Sequence, residues 1–323
     1  MIVDPDFAAV EAAAARIAPH AHATPVLRSR SLDALAGAEL HFKCENLQRA
    51  GAFKFRGACN AVWSLDAATA ARGVVTHSSG NHGAALALAA RTRAIPAHVV
   101  VPEGAVRSKL AAIEAGGATL HRCAPTLAAR EAAAESIRAE TGAELVHPYT
   151  DPRVIAGQGT AALELLRETG PLDLLVTPVG GGGLVCGSAI AAHALVPGIE
   201  VIGAEPAGAA DAFQSLRSGE RVTELEPRTV CDGLRGLLGA INLRLMQRHA
   251  ISVLTVDDAD TVAAMRLLWQ RLKLVVEPSS AIALAAVLGA RERFAGRRVG
   301  IVLSGGNVDL EALPWPSTHP APP

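Results

Sequence analysis

The chain alternates two kinds of segment. Short apolar runs rich in Val, Ile and Leu end in Gly/Ser-rich turns, and Ala/Leu-rich stretches of helical character follow them. Gly73–His77 leads into Ser78–Ala90, Ala97–Val101 into Ala105–Ala115, and Leu174–Val179 into Gly180–Ala194, while Val299–Leu303 runs into the turn Ser304–Asn307. Runs that are apolar along their whole length are strands covered on both faces, and strands alternating with helices pair in parallel. The pattern predicts an α/β protein with mostly parallel sheets. Gly116-Gly117, Thr141-Gly142 and Asp151-Pro152 punctuate the middle of the chain. Residues 72–150 hold enough strand–helix units for a small lobe, which leaves 1–68 and 152–323 for a larger one. There is no internal repeat, and the Pro-rich end Pro314–Pro323 reads as a loose tail.

Half of the 323 residues are apolar, which is enough for a large core and about two domains. A formal net charge of -1 with no basic block provides no footprint for nucleic acid or an anionic membrane, so the expected partner is a small molecule. Met1–Asp6 is acidic where a signal peptide would be basic. The least polar stretch, Leu172–Val201, is broken by Pro178, four glycines and Pro197, which argues against a membrane span. The expectation is a cytoplasmic protein. The five cysteines, Cys44, Cys59, Cys123, Cys186 and Cys231, are odd in number and contain no Cys-x-x-Cys pair. They fit neither a disulfide framework nor a zinc site, and are read as buried small apolar residues.

Lysine usage adds chemistry to this picture. Of 30 Lys plus Arg, only Lys43, Lys54, Lys109 and Lys273 are lysines. A lysine retained in an Arg-rich chain can do what Arg cannot, which is to lose a proton and attack a carbonyl. Lys109, Lys273 and Lys43 are each read as solvated or snorkelling residues. Lys54 lies between Phe53 and Phe55, within Gly51–Gly57, where a helix begins. Apolar surroundings would lower its pKa, as an imine-forming lysine needs. Local sequence leaves a second reading open, in which the stem packs on the aromatics and the amine reaches water.

Two turns offer anion sites. Gly180–Gly183 follows a strand and opens a helix at Leu184, an arrangement that closes backbone N–H groups around a phosphate at the positive helix end. It is neither a Walker motif nor a dinucleotide fingerprint. Ser78-Ser79-Gly80-Asn81-His82-Gly83 also joins a strand to a helix and suits a carboxylate. For both, and for Ser304–Asn307, a tight turn or helix cap without a ligand is the alternative.

Taken in order, Asn46–Ala58, Ser78–Gly83, Gly180–Leu184 and Ser304–Asn307 resemble the fold-type II enzymes that depend on pyridoxal 5'-phosphate (PLP). They are most similar to the serine racemase and serine/threonine dehydratase branch, and the likeness runs from Thr24 to Asp309. The resemblance implies two lobes, each a mostly parallel sheet flanked by helices, with the active site in the cleft between them, and a homodimer. It implies that Lys54 holds PLP as a Schiff base, Phe53 packs by the ring, and Asn81 bonds the phenolic oxygen. Gly180, Gly181, Gly182, Gly183 and Leu184 would hold the phosphate, Gly233 would line the cofactor, and Ser304 would meet the pyridine nitrogen. Ser78, Ser79, Asn81 and His82 would receive an amino-acid substrate.

The implied reaction is β-elimination from a β-hydroxy amino acid, L-serine or L-threonine first, with Lys54 as base, giving a 2-oxo acid and ammonia. Ser79 resembles the second base of serine racemases, so racemisation stands as the alternative. Glu205, Ala209 and Asp211 match the family's divalent-cation site, for Mg2+ or else Ca2+ or Mn2+. Asp232–Gly236 resembles plant-type members, whereas animal racemases carry a serine in place of Gly236. That difference opens room for a bulkier or acidic substrate such as 3-hydroxyaspartate, which Arg235 could meet. Ala84 replaces a glutamine of the animal nucleotide-effector site, so ATP activation is not expected. The chain ends soon after Ser304, so control by isoleucine is not expected either.

Overall fold

The computed structural model describes residues 3–105 and 107–315, with the side chains of Ser108 and Lys109 outside that description. Helices start where the sequence supplies a cap. Asp6, Asp66, Thr126 and Asp151 each accept a bond from a backbone N–H in the first turn that follows, and Pro152 sits where its missing N–H costs nothing.

In chain order, α1 (Phe7–Ile17) precedes β1 (Val26–Leu27), α2 (Arg30–Ala36), β2 (Glu39–Cys44), α3 (Lys54–Trp63) and α4 (Ala67–Arg72). The next group is β3 (Val74–His77), α5 (Asn81–Thr92), β4 (Ala97–Pro102), α6 (Arg107–Ala115), β5 (Thr119–Cys123), α7 (Leu127–Thr141) and β6 (Glu144–Leu145). The remainder comprises α8 (Pro152–Thr169), β7 (Leu174–Pro178), α9 (Gly183–Leu195), β8 (Glu200–Pro206), α10 (Asp211–Ser218), α11 (Ala240–Arg248), β9 (Ser252–Val256), α12 (Asp258–Arg271), α13 (Pro278–Gly289), α14 (Arg291–Phe294) and β10 (Arg298–Leu303).

The strands form two sheets. The larger has the order β1-β2-β10-β7-β8-β9 and is parallel except for β1 against β2; the smaller, β5-β4-β3-β6, is wholly parallel. Successive side chains of β7 and β10 enter different cores. Leu175 and Val302 join α1, α8, α9 and α11 on one face, while Leu174, Val176, Ile301 and Leu303 join α2, α12 and α13 on the other. Both faces being covered is the reason these strands read as unbroken apolar runs. After β10 the chain does not enter a helix as it does after β3, β4 and β7. It makes a bridge between Gly305 and Ala52 instead.

Helix α3 joins the two halves, packing on α8 and on α5. Its first turn is fixed by a buried network. Arg56, fully buried, donates to both Glu45 oxygens at 2.7 and 2.8 Å and to both Glu164 oxygens at 2.7 Å. Lys43 completes it with bonds to Glu164 at 2.7 Å and to the Thr24 carbonyl at 2.6 Å. Lys43 is therefore not the solvated residue expected from sequence. On β2 it alternates with Phe42 and Cys44, which point into the other core, and it turns toward α8. Lys273 is exposed as expected, and the expectation for Lys109 concerns a side chain outside the described residues.

Cys44, Cys59, Cys186 and Cys231 are buried and free, and Cys123 is half-buried. Burial pushes the Cys44, Cys59 and Cys231 thiols up to about 12. The tail expected from Pro314 is packed at its start, where Trp315 meets Trp269 edge-on at 5.3 Å; residues 316–323 lie outside the described residues. Among the described residues no helix is long and apolar enough to cross a membrane.

Arg56, Glu45 and Lys43 are fully buried in this network and Glu164 is half-buried, so removing Glu45 leaves a buried positive charge uncompensated. Glu45→Ala should lower the free energy of unfolding by about 3–5 kcal/mol in a denaturant titration, with Arg56 as the stranded ion.

Candidate active site

Three turns at the carboxyl ends of parallel strands converge on the start of α3, the place where open α/β sheets bind ligands. They are Ser78–Gly80 after β3, Val179–Gly182 after β7, and Ser304–Asn307 after β10. Backbone bonds tie the last of these to the Lys54 segment. Phe53 N–H donates to Ser304 O at 2.9 Å and Gly306 N–H to Gly51 O at 2.9 Å. The Asn307 amide donates to Ala50 O at 2.8 Å.

Lys54 is the first residue of α3. Its Nζ lies 5.1 Å from the Phe53 ring centroid and donates to the Pro148 carbonyl at 3.1 Å. Burial of the amine brings its pKa down to about 8, against the opposing pull of the Glu277 carboxylate. Around it stand three imidazoles that burial keeps neutral. His147 is pushed down to about 3 by burial, His77 and Lys54; His77 is lowered, and His82 lies well below its ordinary value. His77 and His147 meet edge-on at 5.2 Å. His82 is buried, with Nε2 3.3 Å from Val146 O and no partner for Nδ1.

The glycine turn has two constrained positions. Gly182 has φ +93, a left-handed conformation that other residues rarely adopt. A Cβ on Gly181 would land inside the ring of Tyr149. That ring meets His147 edge-on at 4.6 Å, and a Cβ on Gly236 would lie 3.6 Å from its Cε1. The Asn242 amide on α11 donates to Gly181 O and to Tyr149 O, which holds the turn to the Tyr149 segment. Buried Leu184 lies in the first turn of the 13-residue α9, whose first N–H groups face the glycine turn. Free N–H groups, a left-handed glycine and a positive helix end suit a phosphate, and a depressed lysine on the same floor suits an aldehyde, so these residues fit PLP.

The other expected residues are placed as follows. Ser78 and Ser79 are half-buried at the start of α5. Asn81 is engaged at both ends of its amide, donating to Glu277 Oε1 at 2.9 Å and accepting from Asn307 at 2.9 Å. Ser304 is buried, with its hydroxyl 3.4 Å from Ser279 O. Gly233 spends its N–H on Ser279 Oγ at 3.0 Å. Arg235 is exposed and donates to Thr229 O at 2.7 Å. Glu277, Tyr149, His147 and Asn242 escaped the sequence reading. Tyr149 carried the one available signal, being the single tyrosine of the chain.

Glu205 and Asp211 lie apart from this floor. The Glu205 carboxylate accepts from Ala212 N–H and Phe213 N–H, each at 2.8 Å, and Asp211 accepts from Leu238 N–H at 2.7 Å. Burial, with Asp211 adding to it, pushes Glu205 up to about 8. Asp211 is raised as well. Two buried acids with raised pKa values are oxygen ligands of the kind a divalent cation takes. Among the described residues no group of three or more His, Cys, Asp and Glu side chains is arranged to hold a metal ion, so backbone and water would complete such a site.

Residues 17–305 match the family model described as pyridoxal-phosphate dependent enzyme. The chain is 47% identical over 311 residues to a β-hydroxyaspartate dehydratase of Paracoccus denitrificans, covering 96% of this chain and 99% of that one. It is 48% identical over 317 residues to a serine racemase of Arabidopsis thaliana, covering 97% and 96%. The structure of maize serine racemase superposes with a TM-score of 0.92 at 43% identity, covering 96% and 95%.

An amine with a pKa of about 8 becomes a nucleophile only as it loses its proton. With PLP added to cofactor-free protein, the yellow colour of lysine-bound PLP should appear about tenfold faster per pH unit up to pH 8 and level off above it. Lys54→Ala should stay colourless. A rate already level at pH 6.5 would contradict the depressed pKa.

Proposed function

The chain belongs to the pyridoxal-phosphate dependent enzyme family, and from that premise we propose that it eliminates water from β-hydroxy amino acids, L-serine and L-threonine first, releasing a 2-oxo acid and ammonia. The observation that carries this reading is Lys54, a buried amine with a pKa of about 8 at the meeting point of the three turns. When bound, PLP supplies an electron sink for the charge left at the substrate α-carbon.

The chain's own residues do the rest. Ser78, Ser79 and the first N–H groups of α5 receive the substrate carboxylate at the positive helix end. The N–H groups of Gly180–Gly183 and Leu184 would hold the cofactor phosphate, and the Ser304 hydroxyl would meet the ring nitrogen. Phe53 would pack by the ring. Asn81, oriented by Glu277 and Asn307, would bond the phenolic oxygen. Lys54 Nζ accepts the α-proton as general base. The proton then passes from Lys54 Nζ to the β-hydroxyl, which leaves as water, and addition of water to the released enamine yields ammonia and the oxo acid. His77, His82 and His147 stay neutral and so add no positive charge that would compete with the lysine's proton.

Residues 1–68 and 152–323 make the large lobe, 72–150 the small one, and the site lies in the cleft. Glu205, the Ala209 carbonyl and Asp211 hold Mg2+, or Ca2+ or Mn2+, beneath the loop that leads to Leu238. The working unit is a homodimer.

A second reading, dehydration of 3-hydroxyaspartate, is favoured by the space at Gly236 beside Tyr149 and by the name of the Paracoccus relative. Racemisation is the companion activity, with Ser79 Oγ as the second proton carrier.

The decisive assay supplies PLP-loaded enzyme with L-serine, D-serine, L-threonine and the 3-hydroxyaspartates, with and without Mg2+. Oxo-acid formation and the chirality of residual serine are followed together. We expect oxo acid from at least one substrate, a loss of about 10²–10⁴-fold in kcat for Lys54→Ala, and no racemisation by Ser79→Ala. Release of oxo acid from none of them would end the dehydratase reading. Gly236→Ser should lower kcat/KM for 3-hydroxyaspartate relative to serine. An unchanged ratio would remove Gly236 from side-chain selection.

A further inference from the structure

Far from Lys54 along the chain's helices, α9 and α11 end beside each other. Both also start together. α9 opens from the glycine turn, and Gly239, just before α11, donates its N–H to Gly181 O at 3.2 Å. At the opposite ends, His193 lies in the last turn of α9 and His249 is the C-cap of α11. Their Nδ1 atoms are 3.0 Å apart and their rings are stacked at 22°. His193 Nε2 lies 3.1 Å from Ile199 O. A carbonyl can only accept, so Nε2 carries the proton, the His193 Nδ1 lone pair accepts from His249 Nδ1–H, and a metal between the two nitrogens displaces that proton to His249 Nε2. Burial, with His193 and Arg248 adding to it, lowers the His249 pKa.

The pair lies in a surface groove of about 380 Å³ that Ile199, Glu200 and Arg248 also line. We propose that this groove binds a divalent transition-metal cation of the zinc class through His193 Nδ1 and His249 Nδ1. Two nitrogens about 2.0–2.1 Å from one tetrahedral ion lie about 3.3 Å apart, close to the separation present here. The bond from His193 Nε2 to a backbone carbonyl is the outer contact that fixes the tautomer and aim of a ligating histidine.

Electrostatics favour the same ligand. The C-terminal ends of two helices converge on the spot, and the negative ends of their dipoles attract a cation. Arg248 is bonded to Asp4 at 2.7 Å, a carboxylate it shares with Arg244, and Glu200 on the rim is paired with Arg293. Imidazole nitrogens select zinc, copper or nickel over Mg2+ or Ca2+, so this site differs in kind from the carboxylates at Glu205 and Asp211. Water fills the remaining positions, since no third such ligand gathers among the described residues. The bound ion ties together the far ends of the two helices whose near ends hold the glycine turn.

The test uses tag-free, PLP-loaded protein. Zn2+ is titrated in competition with a chromophoric chelator, and thermal unfolding is followed with Zn2+ and with equal Mg2+. The expected result is one equivalent of Zn2+ per chain and a rise in Tm that Mg2+ does not reproduce. His193→Gln and His249→Gln should each weaken Zn2+ binding by at least roughly tenfold and erase the rise. Zn2+ uptake that survives both substitutions, or no uptake by the wild type, overturns the proposal. Should either variant misfold, Cu2+ on the wild type decides. Nitrogen hyperfine structure from two imidazoles supports the site, and oxygen-only coordination rejects it.

Discussion

The buried exchange of charge among Arg56, Glu45, Glu164 and Lys43 is the constraint on which the rest of the site depends. Its four members come from β2, the segment after it, α3 and α8, so no one element can shift without breaking ion pairs in a dry environment. Arg56 stands two residues after Lys54 on the first turn of α3. A guanidinium held by seven bonds fixes the rotation and axial position of that turn, and with them the direction in which Lys54 leaves the backbone. Such a network is a poor source of net stability, because desolvating four charges offsets most of what their pairing returns. Its value is geometric. Two apolar helices could slide against each other by small steps, whereas a fork of planar bonds permits one register.

Burial does the second part of the work. The same enclosure that lowers the Lys54 amine to about 8 also keeps His77, His82 and His147 uncharged, so the floor of the site carries little competing positive charge near neutral pH. Glu277 pulls the other way and prevents the lysine from falling further. The amine is therefore poised between protonated and free in the range where a base that takes up and returns protons is most effective. A lysine on an open surface would stay charged, and one buried without a carboxylate nearby would be a weaker base.

The parts legible in the sequence were those whose physics is local. Unbroken apolar runs announced β3, β4, β7 and β10 because each is covered on both faces, and glycine runs marked the turns because only glycine accepts those backbone paths. Lys54 stood out against an Arg-rich background. What escaped was set by tertiary placement. Lys43 looked like any charge near a strand end, and the partner that buries it is Glu164, 121 residues away. Glu277 reads as an ordinary acid before a Pro-Ser-Ser cap, yet it reaches Asn81 across 196 residues. Tyr149 follows a turn and carries no motif, although three glycines leave room for it. The turn after β10 looked like the other strand-to-helix turns, but it closes on Ala52 by a bridge that periodicity cannot foresee.

Helix polarity links the site to the far edge of the large sheet. α9 and α11 point their positive ends at the glycine turn, where an anion is expected, and their negative ends at the imidazole pair. An anion at one pole stabilises the aligned peptide dipoles, and so does a cation at the other. The two helices are also mechanically continuous from pole to pole, since α9 is buried through most of its length and Asn242 ties the first turn of α11 to Gly181. Whatever fixes the helix ends at His193 and His249 therefore fixes the backbone N–H groups at the turn. A site that must hold a doubly charged phosphate by backbone groups alone, with no Lys or Arg among Gly180–Leu184, depends on how rigidly those groups are presented.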